Sequence, residues 1–267
     1  MALSAAELAA VVKITGDYET SGQGYGMVEG DFDGQGISCG VLQWNIGQRS
    51  LQPLVIAVGQ ARVQSLMPQF GAALWQACHS PTGQALAVVR GWQSGNSLLA
   101  APRRELRALM ASPQMIAQQD KHIRITAAAA EVEADAWAVA RGGPPRSLQE
   151  MALFFDIATQ NGSSAGVTHA VVRDFITTAT PGRADDLVCD WIVQYNASVA
   201  GHADGVRNAA LWRNAAHGAA LDLLVLGYLR ANKANSRWRI DVMNRKGTIA
   251  MRQGWVHRSR LDYSAVF

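Results

Sequence analysis

Cysteine is scarce in this chain. There are three in 267 residues, Cys39, Cys78 and Cys189, far apart and outside any Cys-x-x-Cys or Cys/His spacing. That excludes a disulfide framework and a zinc-type cluster, and the odd count reads as buried free thiols. Charge is also sparse, at 17% of residues, and nearly balanced: 24 basic against 21 acidic side chains leave a net charge of +3. Such a small excess is not the footprint of a nucleic-acid binder. It makes a polycationic substrate an awkward fit and an anionic polymer a comfortable one. No apolar run reaches about 18 residues, so neither a transmembrane helix nor membrane insertion is expected. The start, MALSAAELAAVV, lacks a basic region and a long apolar core, so no signal peptide is expected. A substrate outside the cytoplasm then requires another delivery route, either release with a phage lysis system or injection by a secretion machine. Internal repeats and low-complexity segments are missing too. What remains is 49% hydrophobic, enough for a well-buried globular protein of one large domain or two lobes.

Glycine, in contrast, is concentrated. Residues 18–48 hold Gly22, Gly24, Gly26, Gly30, Gly34, Gly36, Gly40 and Gly47 together with the carboxylates Glu19, Glu29, Asp31 and Asp33. The stretch closes on the polar-aromatic run Gln43-Trp44-Asn45. Glycines at this density permit positive φ and close backbone approach. Acid pairs on such a frame suggest a metal loop or an acid/base pair.

Elsewhere the pattern is helical. Ser4 and Glu7 have capping-box spacing and open a helix over 4–13, with Gly16 near its end and Glu19 just beyond. Residues 22–48 read as short strands and turns. Helical periodicity returns over 54–67, 82–92 and 98–110. Ser112-Pro113 is a strong start signal for a helix running to about Arg141, roughly 44 Å long. Gly142-Gly143-Pro144-Pro145 stops it, and Ser147 with Glu150 caps the next helix. Further helices are expected near 164–178, 184–198 and 204–231, followed by a basic, aromatic tail over 236–267.

Glycoside hydrolysis needs one protonated carboxyl to donate to the leaving oxygen and a second carboxylate as nucleophile or as base on a water. Glu19 at a helix end beside Tyr18, with Asp33 across a glycine-rich sheet, suits that division of labour. Glu29-x-Asp31-x-Asp33-Gly34 resembles half of a calcium loop, but the closing acid would fall on Gly40, so no metal is expected. Tyr25, Gln43, Trp44 and Asn45 could line a sugar cleft, with core packing the competing reading for Trp44. The six histidines, among them His202, His217 and His257, show no ligand spacing and read as surface or satisfied core residues.

Two resemblances sharpen this. Glu19-Thr20 followed by Ser38-Cys39-Gly40-Val41-Leu42-Gln43 resembles the Glu-Ser/Thr and Ser-x-Gly-x-x-Gln pattern of goose-type lysozymes and lytic transglycosylases. The run from Asp33 through Gly34, Gly36, Ser38 and Gly40 is similar to the β-region of family 46 chitosanases. There it carries the catalytic base and a hydroxyl that holds the attacking water. The resemblance implies Glu19 as general acid, Asp33 as base and Ser38 as the hydroxyl; Glu29 and Asp31 are left as cleft rim, loop caps, or alternates for the base if the shortened loop moves Asp33 away. Ser in place of Thr and a short acid-to-base gap depart from that family. The likeness continues in residues 115–121 and in the helix Phe154-Phe155-Asp156, where Asn161 stands at the position of a usual His and joins the substrate-binding candidates. It ends in Arg245-Lys246 and Ser259-Arg260-Leu261-Asp262. It implies a buried network of Asp156, Arg245 and Arg260 behind the acid. Residues 165–235 have no counterpart and read as an insertion.

These readings converge on a mainly α (α+β) chain with a two-lobed lysozyme-like fold. Lobe 1 covers about 1–112 with a small β-region, a bridging helix covers about 113–141, and lobe 2 covers about 146–267. The expected function is inverting hydrolysis of β-1,4 bonds in peptidoglycan, without cofactors. Chitosan is the alternative substrate, and a non-catalytic cell-wall-binding module the further alternative. Net positive charge favours peptidoglycan over the polycation chitosan. The expected partner is a polysaccharide, with neither nucleic acid nor membrane, and the delivery reading leaves room for an immunity protein or delivery machinery.

Overall fold

A computed structural model describes residues 3–20, 24–179, 183–198, 203–215 and 218–267. His202 and His217 lie outside the described residues. In chain order the elements are α1 (Ala5–Thr20), β1 (Val28–Glu29), β2 (Ser38–Cys39), β3 (Trp44–Asn45), α2 (Gln52–Val58), α3 (Gln60–Leu66), α4 (Gly71–His79), α5 (Thr82–Arg90), β4 (Gln93–Ser94), β5 (Ser97–Leu98), α6 (Ala100–Met110) and α7 (Pro113–Ala140). There follow α8 (Leu148–Asn161), α9 (His169–Thr178), α10 (Ala184–Ser198), α11 (Ala203–Trp212), α12 (Ala219–Asn232), α13 (Arg239–Met251), β6 (Gln253–Val256) and β7 (Ser259–Asp262). The chain is mainly α with small antiparallel sheets, as expected. Among the described residues no helix is long and apolar enough to cross a membrane. All three cysteines are buried free thiols, and burial pushes Cys78 and Cys189 up to about 12.

The chain divides into two compact units, one of Met1–Tyr18 and Thr126–Phe267, the other of Glu19–Ile125. The division falls inside α7 and near the end of α1.

Local signals explain most helix starts. Glu7 N–H donates to Ser4 Oγ and Ser4 N–H to Glu7 Oε2, a reciprocal box at the head of α1. Ser147 and Glu150 form the same box on α8. Ser112 Oγ accepts from Met115 N–H, with Pro113 opening α7. Where expectation fails, tertiary burial or backbone geometry is the reason. α1 does not stop at Gly16 but continues to Thr20, because Val11, Ile14, Thr15 and Tyr18 are all buried along one stripe. That outweighs the roughly 1 kcal/mol cost of a helical glycine. The single helix expected over 54–67 divides at Gly59, whose φ of 89° and ψ of 146° suit only glycine. The helix expected over 204–231 is two, α11 and α12.

The unit Glu19–Ile125 has the three-stranded sheet β1-β2-β3, a second hairpin β4-β5, and the helices α2 to α6. Its core gathers Val28, Ile37, Cys39 and Ile46 with Leu54, Leu74, Val89 and Leu106.

The other unit is built around α13, whose residues from Val242 to Ala250 are buried without interruption. α13 packs closely because a glycine stands at its tightest contacts, Gly227 of α12 against Lys246 and its own Gly247 against Trp212. Trp212 on α11 is fully buried and donates from Nε1 to Gln253 O at 2.9 Å. Its ring lies against Gly247 of α13, where an added Cβ would overlap the indole. Asn208 fastens α11 to β6, donating to Trp255 O at 2.8 Å and accepting from Trp255 N–H at 2.7 Å. Gly247→Ala is expected to destabilise by about 1–3 kcal/mol, the usual range for overpacking. Chemical denaturation checks it, and an unchanged midpoint contradicts the packing described here.

Candidate active site

The Glu19–Ile125 unit begins with the last turn of α1, so Glu19 stands within the helix rather than past its end. Its backbone carbonyl accepts from Gln43 Nε2, which satisfies one of the orphan acceptors of a helix C-terminus. Gln43 adopts φ 52° to make this bond. A residue expected to touch sugar is thus tied to the end of the helix that bears Glu19.

Strand register fixes the next group. In the antiparallel sheet Glu29 lies opposite Ser38, and Ser38 opposite Asn45. Directly opposed residues share a face, so Glu29, Ser38 and Asn45 form one row, while Val28, Cys39 and Trp44 form the other. Ser38 is buried, and its Oγ meets no hydrogen-bond partner among the described residues. Glu29 is half-buried, and its carboxylate has no hydrogen bond or ion pair among the described residues. Asn45 is buried and closes its own turn, accepting from Gln48 N–H at 2.8 Å. Trp44 is buried, its ring edge-on to His122 with centroids 6.4 Å apart. It is a core residue and not a stacking platform.

The loop after β1 holds the other two acids. Asp31 accepts from Gly36 N–H at 2.7 Å and from Arg90 Nε at 2.7 Å. Burial works against its charge, but Gly36 N–H and Arg90 outweigh it and hold the carboxyl below the usual range. Asp33 accepts from Gln35 N–H at 3.0 Å, an Asx-type turn. Gln93 braces the same loop, accepting from Asp31 N–H and donating to Gly36 O, each at 2.8 Å. Asp31 and Asp33 therefore shape the loop, and of the three acids Glu29 is the one the sheet sets beside Ser38. Among the described residues no three His, Cys, Asp or Glu side chains gather as a metal site.

Sequence reasoning missed Gln119. Fully buried on α7, it donates to Tyr25 O at 3.2 Å and Met110 O at 3.0 Å and accepts from Val41 N–H at 3.3 Å. It thereby joins the glycine-rich stretch to two helices. Its signal is a Gln four residues after Met115 and four before Ile123, on the apolar period of a long helix. Tyr25 donates to Asp120 Oδ1 at 2.6 Å, and burial with that bond pushes its hydroxyl up to about 12.

The Met1–Tyr18 and Thr126–Phe267 unit holds the charge network. Asp156 has zero exposure. Its Oδ1 accepts from Arg245 Nη2 at 2.5 Å and its Oδ2 from Lys246 Nζ at 2.7 Å. Burial opposes its charge, yet the two cations hold the carboxyl below its ordinary range. The second cation is therefore Lys246 and not Arg260, which is exposed on β7 opposite Trp255. A period-two strand sends Arg260 to the outer face, whereas Lys246 follows Arg245 into the core. Lys246 also donates to Gln160 Oε1, and Gln160 Nε2 donates to Asp241 Oδ2 at 2.7 Å. The Arg245 guanidinium lies 5.2 Å from the centre of the Tyr18 ring. Asn161, expected to bind substrate, ends α8 in this unit with its Oδ1 buried and without a hydrogen-bond partner among the described residues.

Family models, curated proteins and solved structures were compared with the chain, and none matches it.

A carboxyl whose folded pKa is depressed contributes stability above its unfolded pKa, and that stability is lost as pH falls through the folded value. Asp156, Asp241 and Asp31 all shift in that direction. Thermal stability is therefore expected to fall steadily below about pH 4, where unfolded carboxyls take up protons. Asp156→Asn should cost about 3–5 kcal/mol near neutral pH by leaving buried cations uncompensated. Calorimetry across pH tests both, and a flat acid limb with a neutral Asp156→Asn would contradict the pairing.

Proposed function

We propose that this chain is a lysozyme-like glycoside hydrolase that cleaves β-1,4 bonds of bacterial peptidoglycan. The observation that carries the reading is the sheet row. Among the described residues a carboxylate without an ion pair, Glu29, is set beside a buried hydroxyl without a hydrogen-bond partner, Ser38, on strands that follow the helix whose last turn holds Glu19. A water held between Glu29 and Ser38 would satisfy the hydroxyl and give the carboxylate a proton to take.

In the proposed reaction Glu19 gives its proton to the glycosidic oxygen as the bond to the anomeric carbon lengthens. The water attacks that carbon from the opposite face while Glu29 takes its proton, with inversion of configuration. Asp33, the base implied by resemblance, is assigned to the loop because its carboxylate accepts from Gln35 N–H. Substrate choice rests on charge: the net +3 suits the anionic peptide stems of peptidoglycan better than a polycation.

Purified peptidoglycan and chitosan digested side by side test the reading. New reducing ends are expected from peptidoglycan. Glu19→Gln should lower the rate by about 10²–10⁴-fold, the range for a lost general acid, with unchanged melting. Glu29→Gln should lower it more than Asp33→Asn. The reverse order returns the base role to Asp33. Cleavage of chitosan alone makes the enzyme a chitosanase, and cleavage of neither polymer leaves a cell-wall-binding module. Anhydro-muropeptides would indicate a lytic transglycosylase and remove the base altogether.

A further inference from the structure

Among the described residues, His257 is the group whose surroundings are least explained by packing. It sits at the β6-β7 turn, where His257 and Arg258 adopt φ of 50° and 70° between the paired residues Val256 and Ser259. A two-residue turn of this kind ordinarily uses Asn-Gly, because both residues need positive φ. Two side-chain-bearing residues there are held in a disfavoured conformation, so something else secures the turn. Arg258 N–H donates to Asp204 Oδ2 at 2.7 Å. Two of the imidazole's contacts define its setting, Nδ1 to Tyr18 O at 3.1 Å and Nε2 to Asp241 Oδ1 at 2.8 Å.

Both of those partners are acceptors. A backbone carbonyl has no proton to give. Asp241 is an ionised carboxylate: burial opposes its charge, but the His257 bond and the nearby Arg245 and Lys246 keep it below the ordinary range. Its other oxygen accepts from Gln160 Nε2. A neutral imidazole has one N–H and can satisfy only one acceptor, whereas the imidazolium satisfies both. Tyr18 O belongs to the last turn of α1, where the helix leaves its carbonyls unsatisfied and where a cation is favoured by the helix dipole.

We infer that His257 is held as an imidazolium that caps the C-terminal turn of α1 and so acts as a positioning residue for Glu19, the next residue along the helix. This rests on the reading of Glu19 as the acid. The charged and titratable groups around the ring are each committed elsewhere. Arg245 and Lys246 on α13 bond Asp156. Asp17 on α1 pairs with Lys13 and lies 3.4 Å from the Tyr263 hydroxyl. Asp204 on α11 holds the turn. Asp241 is the carboxylate bonded to the imidazole. When the ring loses its proton, one of its two bonds must break. The carboxylate is the stronger acceptor, so the bond to Tyr18 O is the one lost.

The pH profile of kcat on peptidoglycan fragments, taken with His257→Gln and His257→Arg, tests this. Wild type should lose activity, about five- to tenfold, as pH rises through the range where histidine titrates. His257→Gln should be low by a similar factor across the range, with KM unchanged and the protein still folded. His257→Arg keeps donors for both acceptors at every pH and should remove the alkaline decline. Wild-type kcat and pH profile in His257→Gln would overturn the role. A second readout needs no substrate. In the Glu19→Gln protein, nitrogen NMR should find both ring nitrogens protonated at pH 6, with the Tyr18 and Glu19 backbone signals moving as the ring titrates. A neutral ring at pH 6, or backbone signals that do not follow it, would overturn the capping. If the protein cleaves no glycan while the ring titrates as described, the assignment of Glu19 fails and the cap stands.

Discussion

A carboxylate with no solvent exposure cannot remain ionised in a protein core unless cations and hydrogen bonds replace the lost water. Asp156 imposes that demand on one half of this chain. It is answered by two consecutive residues of α13, Arg245 and Lys246, reaching opposite oxygens of the carboxylate. Everything nearby follows from it. α13 must be buried deeply enough to deliver both cations, so it packs against small residues and a buried indole. Lys246 has a second acceptor in Gln160, Gln160 links to Asp241, and Asp241 holds His257. The chain of bonds ends on the backbone carbonyl of Tyr18. A purely apolar core of the same volume would often be as stable. What the polar network adds is a fixed arrangement of directional bonds running from the core to a helix end.

The sheet supplies the second constraint. Its strands are two residues long, yet their pairing decides which acid meets Ser38. Side chains alternate across a strand, so a slip of one residue would carry Glu29 to the Cys39 and Trp44 face and bury it there. The buried Val28, Cys39 and Trp44 prevent that slip. The catalytic proposal therefore depends on the apolar face of the sheet as much as on the polar one.

Much of the fold was legible because its signals are local. Capping boxes at Ser4 and Ser147 and the Ser112-Pro113 start need only a few consecutive residues, and each marks a helix where expected. The continuation of α1 through Gly16 was not legible, because the burial that sustains it comes from distant chain. Asp156 and Arg245 were named from resemblance and do pair. Arg260 stands outside the network because strand alternation leaves it exposed, while Lys246, next to Arg245 in the same motif, reaches the carboxylate. His257 carries no local signal: its partners are 239 and 16 positions away. Trp44 was ambiguous in sequence because stacking platforms and core tryptophans look alike, and only strand pairing separates them.

The central claim is that a base-activated water, delivered opposite an acid on the last turn of α1, breaks a cell-wall glycosidic bond. Digesting purified peptidoglycan in heavy-oxygen water and weighing the products is the most direct test. The account predicts saccharide fragments whose new reducing ends each carry one heavy oxygen. Unlabelled anhydro ends, or intact glycan strands after prolonged incubation, would contradict it.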